Sequence, residues 1–381
     1  MISDGKLRYA LVGAGTIARN HLEALAKLSD RVEIAAIADL REDAAAAYAQ
    51  QHGIGRTFTD YQRMIDDVQP DVVVVCVPPM LHEPVARYAL ERGCHVYCEK
   101  PFAATVAQGR ALQALAKRHD RLATVNHQRR CTPRYQLVRQ VLESNRIGKL
   151  HRASLYCSFR FRSLAYYKHD WRGRATWAGA CGGVLLNQCI HELDILLWAF
   201  RMPRSVIGYC RTHNSELEVE DDVYAILEFG DDAAGMLHAS VIDEPGRNMF
   251  EFVGDRGKLE VTTDEIRLTT LEPSIPEFHR TWDKQYGRPA STTQVLDEPV
   301  LPEGATEFDA MHANLLDVLT GRQPASSLIV PPEQTTMALE VTNAIYLSSA
   351  QRRPITLPMD DAAYEQWFAQ RADVTTTAAS A

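Results

Sequence analysis

Between Leu7 and about Asn126 the chain alternates short, β-branched apolar runs with longer stretches of helical periodicity, and this alternation narrows the fold more than any other feature. The apolar runs occupy residues 7–12, 33–38, 71–77, 94–98 and 122–126, and helical patterns fill 17–28, 44–52, 84–92 and 105–119. Antiparallel strands can be joined by two residues, whereas parallel strands need a crossover long enough for a helix. An unbroken run such as Val72-Val73-Val74-Val75 also suits a strand covered on both faces. The pattern therefore predicts an α/β domain with a doubly wound parallel sheet.

Beyond a helix expected over 134–144 the period changes. Ala153, Leu155, Cys157, Phe159 and Phe161 alternate with polar neighbours and read as one face of a half-buried strand. Runs at 222–229 and 233–242 flank Gly230-Asp231-Asp232, and runs at 250–253 and 258–261 flank Gly254-Asp255-Arg256-Gly257, as two hairpins would. The expectation is an α+β second domain with a large, mostly antiparallel open sheet and helices on one side. Residues 280–303 read as a long loop, helices return at 308–320 and 332–351, and a tail over 373–381 is expected to be disordered because 375–381 lacks the apolar side chains to pack. A chain of 381 residues exceeds what one core usually supports. The expected division is 1–127 for the first domain and 128–360 for the second.

Composition excludes several classes. A net charge of −8 with interspersed signs offers no basic stripe for nucleic acid, and no apolar run approaches bilayer length. The first six residues lack the apolar stretch of a secretory signal, so the expected location is cytoplasmic. Eight scattered cysteines, mostly in apolar segments, read as reduced core residues. Cys94 through Cys98 reads as a buried strand, not a metal site, because no second ligand pair stands at zinc-like spacing.

The first apolar run leads into Gly13-Ala14-Gly15-Thr16-Ile17-Ala18 and then a helix, the context that a dinucleotide fingerprint requires. Gly13 permits the tight turn, Gly15 lets a pyrophosphate approach the backbone, Thr16 and Ile17 open the helix, and Ala18 keeps it close to the strand. Asp39 ends the second strand about twenty residues on, where a carboxylate binds both ribose hydroxyls and repels a 2′-phosphate. NAD is expected over NADP, with Arg41 as the residue that would favour NADP. Val77 and Pro78, at the end of the strand over 71–77, join the cofactor candidates, as does Glu99.

Two constellations carry candidate chemistry. Glu99-Lys100-Pro101 follows a buried strand, where chain ends open onto the ligand crevice, and a proline there fixes the backbone of Lys100. In Gly182-Gly183 through Asp194, a continuous helix would put Asn187, His191 and Asp194 on one face beside an apolar stripe of Leu186, Ile190, Leu193 and Leu197. Phe159 through Arg172 is dense in donors and aromatic faces, with Arg160 and Tyr167 as candidates for holding a hydroxylated ring. Arg160 and Arg162 could equally hold a phosphate, and a strand end plus a solvated loop is the other reading.

The glycine fingerprint, Glu99-Lys100-Pro101, Gln128-Arg129-Arg130 with Pro133, Trp171-Arg172, the glycine-rich segment ending in His191, the Leu339-Glu340-Val341 helix and Pro354 to Pro358 together resemble the glucose-fructose oxidoreductase/inositol dehydrogenase (Gfo/Idh/MocA) family. The resemblance implies that Lys100 and His191 are catalytic, that Trp171 and Arg172 lie near the cofactor, and that substrates are sugars or cyclitols. Gln128 and Asn187 then count with the substrate-binding candidates. It also implies a homo-oligomer, dimer or tetramer, assembled through the open face of the second sheet. Many members carry Asp where this chain has Asn187, and Asn187-Gln188 is similar to the sugar-dehydrogenase subgroup that includes levoglucosan dehydrogenase. The expected reaction is NAD-dependent oxidation of a secondary hydroxyl to a ketone. The alternatives are an NAD-dependent glycosidase or lyase working through a transient 3-keto sugar, and a non-catalytic NAD-binding sensor.

Overall fold

The computed structural model describes residues 5–168, 176–230 and 232–378. Packing divides the chain into Met1–Cys131 with Pro302–Leu339, and Thr132–Leu301 with Glu340–Ala381. In the first unit β1 (Leu7–Val12), α1 (Thr16–Ala26), β2 (Val32–Ala38), α2 (Glu42–His52), β3 (Thr57–Phe58), α3 (Tyr61–Val68), β4 (Val72–Val75), α4 (His82–Glu91), β5 (His95–Cys98), α5 (Val106–Arg118) and β6 (Ala123–Val125) follow in order. The strands form a parallel sheet, six-stranded among the described residues, in the order β3-β2-β1-β4-β5-β6. Each side chain of Val72 to Val75 has no exposed surface, as a strand covered on both faces requires. The order reverses at β1 and β4, and ligands of such sheets bind beyond the carboxyl ends of the strands at that point.

The second unit contains α6 (Pro133–Glu143), β7 (Leu150–Cys157), α7 (Leu164–Lys168), α8 (Trp177–Ala180), a π-helical turn over Leu185–Cys189, α9 (Ile190–Ala199) and β8 (Ser205–Arg211). It continues through β9 (Asp222–Gly230), β10 (Ala233–Ser240), β11 (Asn248–Gly254), β12 (Gly257–Thr262), β13 (Ile266–Glu272), α10 (Ile275–Thr281) and β14 (Ala290–Leu296). After α11 (Glu307–Leu319), which belongs to the first unit, come α12 (Met337–Gln351), β15 (Ile355–Thr356) and α13 (Asp361–Ala378). Among the described residues the sheet has nine strands in the order β14-β13-β12-β11-β7-β10-β9-β8-β15, and every neighbouring pair is antiparallel except β7 with β10. Strand β9 alternates buried Val223, Ala225, Leu227 and Phe229 with exposed Tyr224, Ile226 and Glu228. Helix α12 covers the inner face so closely that a β-carbon on Gly208 of β8 would stand 2.7 Å from the Ile345 carbonyl oxygen.

Several expectations need correction. Residues 302–339, expected in the second domain, pack in the first. His312 on α11 sits edge-on to Tyr97 at 4.7 Å and to His21 at 5.2 Å, and the Thr124 hydroxyl donates to the Val330 carbonyl at 2.8 Å. The expected loop over 280–303 contains β14, paired with β13 from Ile266↔Leu296 to Glu272↔Ala290. Strand β7 stops at Cys157, so the alternation through Phe161 overshoots it, and Phe161 is exposed. Strand β3 and helix α3 were not anticipated, although Asp60 caps α3 and Met64, Ile65 and Val68 line its buried face. Helix α13 extends to Ala378, which makes 373–378 of the expected disordered tail helical, and residues 379–381 lie outside the described residues.

Among the described residues no helix is long and apolar enough to cross a membrane, and none of the eight cysteines is in a disulfide.

Candidate active site

In the first unit the glycine turn is shaped by contact with β4. Gly13 has φ of +102°, and a β-carbon there would stand 2.6 Å from the Cys76 carbonyl oxygen, so only glycine fits. A β-carbon on Gly15 would meet nothing within 4 Å, which leaves the backbone open to an approaching group. Thr16 and Ile17 form the first turn of α1, and no side chain caps that turn. Ala18 is fully buried, as close helix packing demands. Asp39 faces this turn: its Oδ2 accepts from the Ala14 N–H at 2.7 Å, and its Oδ1 accepts from the Arg41 N–H at 2.9 Å and Nε at 3.3 Å. The glycine close against β4, the open glycine and the carboxylate at the end of β2 fit a dinucleotide.

Val77 and Pro78 follow β4 and are half-buried. His82, which the sequence reading passed over, sits between two carbonyls: Nδ1 lies 2.6 Å from Pro101 O and Nε2 lies 2.8 Å from Val77 O. Burial lowers its pKa although the carbonyls pull the other way, so the neutral ring donates to one of them at a time. The ring thereby ties the segment after β4 to the segment after β5. Lys100 is half-buried, and its peptide bond to Pro101 is cis.

Glu99 is turned inward. Oε1 accepts from Asn126 Nδ2 at 2.6 Å and contacts His21 Nε2 at 3.0 Å, while Oε2 accepts from the Lys100 N–H at 3.1 Å. His21 Nδ1 in turn lies 2.9 Å from His312 Nε2. One set of neutral tautomers satisfies the chain: His312 Nε2–H donates to His21, and His21 Nε2–H donates to Glu99. Burial raises the pKa of Glu99, and the bonds from His21 and Asn126 with the Lys100 charge outweigh it, leaving the carboxyl below its ordinary value. Neither His21 nor His312 carries a local sequence signal, since 291 residues separate them.

Gln128 is half-buried in the turn after β6, and its Oε1 is buried with no hydrogen-bond partner among the described residues. Arg130 beside it is fully buried and donates to the Ile329 carbonyl at 3.2 Å and to Gln334 Oε1. It braces the 329–334 segment.

In the second unit the expected continuous helix through Asn187 and His191 is a π-turn followed by α9. The wider π-turn shifts the angular relation that α-helical spacing would give, and such turns concentrate at functional sites. Asn187 and His191 are half-buried, whereas Asp194 is 1% exposed, so the three do not share one accessible face. Asn187 Nδ2 donates to the Gly182 carbonyl at 2.7 Å, bracing its own turn. Gln188, buried, accepts from Arg162 Nη2 at 3.1 Å and donates to the Tyr166 hydroxyl at 3.0 Å. Arg160 lies over the Phe159 ring at 4.8 Å, and Tyr166 packs edge-on to Tyr167 at 5.2 Å. Burial raises the pKa of Tyr167, so its hydroxyl stays protonated. Trp171 and Arg172 lie outside the described residues.

The profile of the Gfo/Idh/MocA oxidoreductases with an NAD-binding Rossmann fold matches residues 7–127, and the C-terminal domain of the same family matches 135–260. D-apiose dehydrogenase of Paraburkholderia graminis is 25% identical over 365 residues, 92% of this chain and 90% of that one. 1,5-Anhydro-D-fructose reductase of Ensifer adhaerens is 27% identical over 254 residues, 66% of this chain and 74% of that one. In fold, the WlbA dehydrogenase of Bordetella pertussis, solved with NADH and UDP-GlcNAcA, matches with a TM-score of 0.77 at 24% identity, over 93% of this chain and 100% of that one. Levoglucosan dehydrogenase, solved with NADH, matches with a TM-score of 0.75 at 20% identity, over 93% and 100%. The glycine turn and Asp39 thus belong to an NAD-binding Rossmann domain, and the chain is a member of the Gfo/Idh/MocA oxidoreductase family.

Proposed function

We propose that the protein oxidises a secondary hydroxyl of a sugar or cyclitol to the ketone with NAD. The observation that carries this reading is the match along nearly the whole chain to a sugar dehydrogenase, D-apiose dehydrogenase. The residues support it. Gln128 Oε1 is a buried acceptor that a substrate hydroxyl would satisfy, and Arg162, Gln188 and Tyr166 form a polar group of the kind that orients polyols.

NAD, when bound, accepts the hydride. His191, whose ordinary pKa lies near neutrality, takes the hydroxyl proton, and the Lys100 ammonium stabilises the developing alkoxide; the two roles are exchangeable. Glu99 acts on Lys100 through its backbone N–H, which its carboxylate holds at 3.1 Å. Arg160, Tyr167 and Asn187 complete the proposed substrate contacts, and Trp171 and Arg172 the proposed cofactor contacts.

A panel of inositols, aldoses, anhydrosugars and nucleotide sugars with NAD and with NADP tests the reading by absorbance of reduced nicotinamide. Steady accumulation with a free polyol supports it. Tightly retained cofactor with no accumulation from any of them overturns it in favour of transient oxidation. Lys100→Ala and His191→Ala should each lower kcat by about 100-fold or more while NADH affinity changes little. Wild-type turnover in both variants removes these residues from the mechanism.

A second copy of the chain is the proposed partner. Ile207, Tyr209, Tyr224, Ile226 and Met236 stand exposed together on β8, β9 and β10, an apolar sheet face that water alone covers poorly.

A further inference from the structure

The segment that carries Asn187 and leads into His191 is held by a buried carboxylate distant in sequence. Glu220 is 2% exposed and stands just before β9. Its Oε2 accepts from the Gly183 N–H at 2.8 Å, and its Oε1 accepts from the Leu185 N–H at 3.0 Å and from the Tyr346 hydroxyl at 2.7 Å. The Glu220 main-chain carbonyl accepts from Val184 N–H at 3.0 Å, so three successive amides of the turn end on one residue.

The glycines of this segment follow from that approach. A β-carbon on Gly183 would stand 1.8 Å from the Glu220 carbonyl oxygen, and one on Gly182 would stand 2.4 Å from the Tyr346 hydroxyl. Cys181, in the left-handed region at φ of +62°, turns the chain into this position at the end of α8. The Gly183 carbonyl accepts from the Asn187 N–H at 3.1 Å and the Gly182 carbonyl from the Asn187 side chain at 2.7 Å, which passes the constraint along the turn to α9. Tyr346 is itself fixed, edge-on to Trp177 at 5.1 Å, whose Nε1–H donates to the Glu218 carbonyl at 3.1 Å.

We propose that Glu220, held by Tyr346, is a positioning residue for the reaction: it sets the π-turn at Leu185–Cys189 and through it the orientations of Asn187 and His191. A catalytic base must be held to within a fraction of an ångström and a few tens of degrees, and an uncompensated displacement of 1 Å can cost about 100-fold. Two features make a carboxylate suited to the task. It accepts several N–H donors at once, and burial keeps competing water away from those bonds. Burial raises its pKa to about 7 against the pull of the three donors, which marks this as an arrangement kept at an energetic cost.

The proposal rests on the reading of His191 as a catalytic group, and the test separates the two. Glu220→Gln preserves volume but turns an NH2 group toward donors, and Tyr346→Phe removes a single donor and leaves the rest of the turn's bonds in place. Each variant is measured as the full chain, with kcat normalised to NADH-binding sites and with histidine-selective 15N spectra in which His191→Ala assigns the His191 signals. The expected result is displaced His191 signals, kcat lowered roughly 10- to 100-fold in Glu220→Gln and less in Tyr346→Phe, and KM for NAD within about twofold of wild type. Displaced signals with unchanged turnover support the positioning and overturn the catalytic reading of His191. Unmoved signals in Tyr346→Phe, or in a folded Glu220→Gln, overturn the proposal whatever the turnover.

Discussion

The proposed role of Asp39 in cofactor choice is tied to local structure. Its carboxylate is fixed by the Ala14 and Arg41 amides, so the negative charge cannot swing away from a 2′-phosphate without breaking bonds to the glycine turn. Asp39→Ser should therefore improve NADP relative to NAD by about tenfold or more in kcat/KM, measured with both cofactors on the same substrate. An unchanged ratio would mean that another group sets the preference. The places of Asp39, Lys100 and the glycines could be read from sequence because each is fixed relative to a strand end. Glu220 and Tyr346 could not, because their partners lie 35 and more residues away and only folding brings them together.

Among the elements, α11 carries the clearest pH signature. His312 has its pKa pushed well below the usual imidazole value by burial first and by the neighbouring His21 second. As pH falls through about 6.5 the unfolded chain takes up a proton that the folded unit does not, so this contribution to stability is present above that pH and lost below it, at up to about 1.4 kcal/mol per pH unit. His312→Gln removes the titrating group. Melting of wild type and variant at pH 7 and pH 5.5 should show the wild type losing roughly 1 kcal/mol more than the variant, and parallel curves would contradict the assignment. The helix itself was legible from its apolar period, but its place was not, since periodicity gives a buried face without saying what buries it. Strands β1, β2 and β4 to β6 were readable because β-branched runs in a parallel sheet are apolar throughout. Strand β14 escaped because almost every residue in it is exposed, so no alternation exists to be read. The π-turn escaped because the spacing of Asn187 and His191 was judged against an α-helix.

For the whole molecule, the exposed face of β8 to β10 makes a definite demand. Ile226, 54% exposed at the centre of the patch, points away from a well-packed core, so a charge there perturbs association more than folding. If the proposed pairing of copies uses this face, Ile226→Glu should lower the molar mass by light scattering below that of wild type while leaving the melting temperature within a few degrees of an equally dilute wild type. A wild-type mass for the variant would place the contact elsewhere.

The return of residues 302–339 to the first unit also bears on how the protein is made. A ribosome releases the nucleotide-binding sheet long before it reaches Phe308 and His312, the side chains that close its core around His21 and Tyr97. The part of the protein synthesised first is thus among the last to be completed. An amino-terminal fragment ending near residue 131 would carry the whole glycine fingerprint and still lack a wall of its own interior, whereas one with 302–339 grafted back should be protected from protease.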